Sequence, residues 1–186
     1  MRNRTALFES LLRSSCIKLV VTVSLLSFGF VFASSYAAEK RFGSWLVGPI
    51  TDNEGVYAAT ANDSGAILGQ YCYNSEASCF WLLANDTNCE PGSRYPVLVN
   101  ADTGAYSLEM LCIKLEGKGR YAFTDFDAID GLIKKSSRIG IAFPLKSGLF
   151  QVTRFSLNGS SNAVTFMRSI AEAVIKKTGG TKDTLL

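Results

Sequence analysis

No histidine occurs in the 186 residues, so the usual general base, the usual partner of a nucleophilic serine or cysteine and the commonest zinc ligand are all missing. The chain also lacks a G-x-S-x-G elbow, a P-loop and a G-x-G-x-x-G turn. Chemistry is left to carboxylates, cysteines and aromatic rings. Cys72, Cys79, Cys89 and Cys112 lack the paired two-residue spacing of a zinc site, and read as disulfide partners. Four cysteines allow three pairings. A hairpin turning between Ser75 and Glu76 places Cys72 opposite Cys79, which favours that bridge and leaves Cys89 for Cys112. Tyr71, Tyr73, Phe80 and Trp81 flank the first pair and offer a possible partner surface, although alternation along strands turns some of them inward.

Two acidic motifs remain. Asp102-Thr103-Gly104-Ala105 is similar to the D-T-G-A run of retroviral-type aspartic proteases, where two carboxylates share a proton. The alternative function is therefore a carboxylate-based hydrolase using Asp102. The same letters make a good hairpin turn, which is the preferred reading. Asp125, Asp127 and Asp130 before Gly131 loosely suggest a calcium loop, but acids at positions 1, 3 and 6 with glycine at 7 miss the EF-hand register. An acid-rich first helical turn explains them better. No catalytic residue, cofactor or metal is expected.

The compartment is read from residues 1–38. Arg2, Arg4, Arg13 and Lys18 precede an apolar run over 19–33, and Ser35, Ala37 and Ala38 follow it, the layout of a secretory signal peptide. As a helix the run rises only about 22 Å, short of a ~30 Å hydrocarbon core, so no transmembrane segment is expected after cleavage. The segment also carries the whole charge excess. Without it the formal +3 falls to neutrality, which argues against nucleic acid as a partner. Export to an oxidising compartment agrees with an even number of cysteines.

The elements that position these residues are mostly strands. Short runs rich in Val, Ile, Tyr, Phe and Leu alternate with Gly, Pro, Asn and Asp clusters. Strands are predicted over 42–47, 56–61, 67–73, 79–84, 95–100, 106–115, 121–124, 137–143 and 149–156. A short internal helix follows Asp125 as N-cap, with Phe126, Ile129, Leu132 and Ile133 on one face. A C-terminal amphipathic helix follows Gly159, capped by Ser160 or Ser161, with Val164, Met167, Ala171, Val174 and Ile175 as its apolar stripe. The fold class is thus mainly β: an antiparallel β-sandwich-like domain with two helices. Its expected organisation is a signal peptide over 1–38, a single domain over 39–178 and a flexible tail over 179–186.

Both ends of that domain resemble the invasion-associated locus B family of bacterial exported proteins. The residues are Phe42-Gly43-Ser44-Trp45 at the start, and Val152-Thr153-Arg154-Phe155-Ser156-Leu157-Asn158-Gly159 running into the last helix. Ser44 stands where the family usually has an acidic residue. The resemblance implies a periplasmic or cell-surface β-rich protein, linked by name to host-cell entry, and supplies no catalytic residues. The expected function is that of an exported, disulfide-bonded protein that binds an unknown protein or envelope component.

Overall fold

The alternation of apolar and polar side chains produces ten antiparallel strands in the computed structural model, which describes residues 39–75, 78–87, 89–115, 117–144 and 148–179. The signal peptide expected over 1–38 and the tail expected beyond Gly179 lie outside the described residues. The strands are β1 Lys40–Phe42, β2 Trp45–Pro49, β3 Gly55–Ala61, β4 Ile67–Tyr73, β5 Ser78–Ala84, β6 Arg94–Ala101, β7 Gly104–Leu115, β8 Lys118–Phe123, β9 Arg138–Pro144 and β10 Phe150–Ser156. Helix α1, Phe126–Lys135, separates β8 from β9, and α2, Ser160–Gly179, follows β10. The domain is mainly β and antiparallel, with one internal and one C-terminal helix, as the sequence predicts.

The strands form one sheet in the order β1-β2-β3-β4-β5-β8-β7-β6-β9-β10. Its middle is narrow, because β5 and β8 share only the pairs Leu82↔Ala122 and Leu83↔Tyr121. On either side stand two five-stranded halves. The edge of β10 returns against β2 and β3, where Asn62 Nδ2 donates to the Arg154 carbonyl and Trp45 Nε1 to that of Ser156, both at 3.2 Å. One curled sheet thereby supplies the facing layers of a sandwich. Trp45, Leu68, Trp81, Leu83, Met110, Ile139 and Ile141 are fully or almost fully buried between them.

Two local expectations need correction. The strand predicted over 42–47 is broken into β1 and β2, because Gly43 adopts φ +56° and turns the chain. The helix signals are also used differently from their sequence reading. Asp125 does cap α1, accepting from the Ala128 N–H at 3.0 Å. Ser160 and Ser161, however, donate their hydroxyls to the Ile133 and Lys134 carbonyls at 3.0 and 3.2 Å. They satisfy the C-terminal carbonyls of α1, which lack intrahelical partners, and so tie the two helices together. On α2, Ala163, Val164, Met167 and Ala171 are buried, whereas Ile175 is 37% exposed.

Two disulfides staple the sheet. Cys72–Cys79 crosses the β4–β5 hairpin with Cα atoms 4.1 Å apart, and Cys89–Cys112 fastens the loop before β6 to β7 at 5.9 Å. The second closes a separation of 23 residues, so its removal frees more unfolded-chain entropy than removal of the first, with its separation of seven. A Cys89→Ser, Cys112→Ser double variant should lose about 3 kcal/mol in chemical denaturation. A loss no greater than that of the Cys72→Ser, Cys79→Ser pair would contradict the loop-length argument.

Candidate functional site

The sheet has an inner face covered by the helices and an outer face turned away from them, and register assigns each aromatic to one or the other. Tyr57, Tyr71 and Phe80 stand side by side through the pairs Tyr57↔Tyr71 and Tyr71↔Phe80. Tyr73 lies two residues along β4 and shares their face. All four are half-buried. The Tyr57 and Tyr71 rings stack with centroids 5.8 Å apart and an interplanar angle of 27°. Trp81 faces the other way. It is wholly buried, packs edge-on against Trp45 at 6.1 Å and donates Nε1–H to Asp130 Oδ1 at 3.3 Å. Of the four aromatics proposed as a partner surface, Tyr71, Tyr73 and Phe80 therefore share the outer face, whereas Trp81 belongs to the core.

Beside the tyrosines is a cavity of about 200 Å³ lined by Tyr57, Tyr71, Tyr73, Leu82, Ala84 and Arg120, among others. Arg120 reaches this face because Ala122 pairs with Leu82, and residue 120 lies two positions along β8 on the same side. Tyr57 Oη donates to Glu39 Oε1 at 2.6 Å. Burial first, and then that hydrogen bond, push the Tyr57 phenol above its ordinary pKa, so it remains a neutral donor. Sequence reasoning missed both Tyr57 and Arg120. The register of β3 on β4 and the β5–β8 contact bring them in, and neither leaves a local signal.

Asp102 occupies the two-residue turn between β6 and β7. One carboxylate oxygen accepts from both the backbone N–H and the hydroxyl of Ser137 at 2.6 Å, and the other faces Arg138 Nε at 3.4 Å. Hydrogen bonds from the Ser137 side chain and backbone hold its carboxyl below the usual carboxylate range, with a smaller contribution from Arg138. The geometry is that of a turn anchored to the start of β9.

The acids at 125, 127 and 130 also serve separate purposes. Asp125 caps α1, Asp127 is exposed, and Asp130, on α1 itself, is buried against α2 and β5. Arg168 Nη2 meets Asp130 Oδ1 at 2.5 Å, Lys134 Nζ meets Oδ2 at 2.8 Å, and Arg168 Nε donates to the fully buried Gln70 Oε1 at 2.8 Å. Burial by itself raises the Asp130 pKa. Hydrogen bonds from Lys134 and Arg168, then their charges, outweigh it and leave the group lowered. This network pins α1 and α2 to β4 and β5.

The residues that carry the family resemblance meet in space. Ser44 N–H donates to the Asn158 carbonyl at 3.0 Å, and Ser44 Oγ to Ser156 Oγ at 3.0 Å. The Phe42 ring lies 5.4 Å from that of Phe166 on α2. These contacts close the fold. The class so defined is a disulfide-stapled, curled antiparallel sheet with a helical cover and an aromatic outer face. No protein-family model matches the chain, and no curated protein does. Among solved structures it is similar to invasion associated protein B from Bartonella henselae, with a TM-score of 0.53 and 13% identity over 73% of this chain and 99% of that one. The likeness is one of fold. No described helix is long and apolar enough to cross a membrane.

Proposed function

We propose that this chain is an exported, disulfide-bonded protein of the bacterial envelope that works by binding, and that the outer face bearing Tyr57, Tyr71, Tyr73 and Phe80 is its partner surface. The carrying observation is the stacked tyrosine pair beside an open cavity, on the face opposite the helices. Half-buried aromatic rings bury large area at small entropic loss when a partner covers them. The two disulfides support an oxidising compartment. The fold-level likeness to invasion associated protein B is compatible with the invasion-associated role that the resemblance at the two ends of the domain implies.

The test is a photo-crosslinking amino acid placed at Phe80, with the exposed Asp127 on α1 as the control position, in intact cells. One discrete adduct from position 80 and none from 127 is the expected result. No adduct at 80, or equal adducts at both positions, would overturn the assignment.

A further inference from the structure

Arg120 is the unusual member of the outer-face cavity. The residue is half-buried on β8, and among the described residues it makes no ion pair; the other arginines without one, Arg41 and Arg154, are exposed, whereas Arg94, Arg138 and Arg168 each have a carboxylate partner. A guanidinium removed from part of its hydration beside apolar and aromatic groups gains strongly from an anion, and its planar fork suits a carboxylate. Around it the cavity has two further kinds of wall. Tyr57, Tyr71 and Tyr73 supply ring surface, while Ile67, Leu82 and Ala84 supply an apolar floor. Glu39 does not compete for Arg120, since its Oε1 already accepts from Tyr57 Oη.

The size narrows the ligand. At about 200 Å³ the cavity is smaller than sites for drug-sized molecules, which run to roughly 300–1,000 Å³. A space of that size suits a single six-membered ring with a charged substituent better than a larger ligand. We propose that this cavity binds a carboxylate carried on a single six-membered ring, the carboxylate meeting Arg120 and the ring lying against the tyrosines. Such a group can come from a sugar acid or from an aromatic acid. The inference rests on the reading of the outer face as the partner surface and specifies which part of a partner enters it.

The experiment labels the tyrosines of the purified, disulfide-bonded protein with 3-fluorotyrosine and follows the fluorine resonances during titration with glucuronate, benzoate, glucose and inorganic phosphate. Either ring carboxylate should shift the Tyr57, Tyr71 and Tyr73 signals and leave Tyr106 unmoved, and the one that binds more tightly identifies the source. Glucose and phosphate should bind at least about tenfold more weakly, because each lacks one half of the recognition. Arg120→Gln should weaken binding by at least about tenfold. Ala84→Leu, which keeps the charge but fills the cavity, should abolish it, with unchanged melting showing that both variants fold. Absence of any shift, phosphate binding as well as the ring acids, or wild-type affinity in either variant would overturn the inference. Loss of crosslinking at Phe80 would instead remove the reading of the face itself.

Discussion

Asp130→Asn is expected to lower stability by about 3 kcal/mol at neutral pH, on the order of 10 °C in melting temperature. The side chain keeps its shape but loses its charge, and it turns an amide toward the donors of Arg168 and Lys134. Arg168 is then left partly buried without its anion, which is the costly way to break an enclosed pair. Replacing both partners, with Asp130→Leu and Arg168→Met together, should recover much of the loss because no uncompensated charge remains. The pH dependence distinguishes this from a packing defect. In the folded protein the Asp130 carboxyl is held below its ordinary pKa, so its stabilisation is complete above the unfolded value and disappears as pH falls through the lowered one. Wild type and Asp130→Asn should therefore differ most near neutrality and converge in acid. A gap that does not narrow as the pH falls would show that the ionised pair is not the cause.

Gly159→Ala should be as damaging, through sterics alone. A Cβ on Gly159 would lie 2.1 Å from the Phe42 carbonyl oxygen and 3.0 Å from the Gly43 nitrogen, and the residue has φ +88°. Backbone atoms cannot step aside as a flexible side chain can, and the left-handed conformation adds its own penalty. About 3–5 kcal/mol is expected by denaturant titration, or failure to accumulate the folded protein. Gly43→Ala should behave similarly, since its Cβ would come 2.5 Å from the Asn158 carbonyl oxygen at φ +56°. Alanine at Gly65, where nothing lies within 4 Å of the added atom, is the control for positive φ without collision. If Gly159→Ala costs no more than Gly65→Ala, the close approach of Gly159 to Phe42 and Gly43 is not what requires glycine.

The two glycines also mark how far the sequence could be read. Patterns within a few residues were legible: the β4–β5 hairpin, the Asp125 cap and the apolar faces of both helices each depend on neighbours along the chain. The turn at Gly43 was hidden because Phe42, Trp45, Leu46 and Val47 are all residue types common in strands, and a single glycine between them does not by itself mark a break. Its reason lies at Asn158. Ser160 and Ser161 looked like caps for their own helix, but the α1 carbonyls they serve become visible only after folding. At the candidate site, alternation warned that some of Tyr71, Tyr73, Phe80 and Trp81 must turn inward. It did not assign the face, because that depends on where the helices settle. Tyr57 and Arg120 come from strands on either side of the central hairpin, so only the three-dimensional pairing could place them at one cavity.

The narrow join between β5 and β8 gives the domain a particular kind of indivisibility. By backbone pairing the sheet falls into an early meander, β1 to β5, formed by successive neighbours, and a later half whose β6–β9 pairing spans α1. The meander is built of local contacts and so is the half suited to rapid formation. Yet α2, the last of the described elements, packs on β1 to β4 as well as on α1. The early half thus depends on the two helices of the later half for its cover. A cut between β5 and β6 would separate the halves at their narrow β5–β8 join and leave the early one without its helical lid, so the two halves are expected to fold only together.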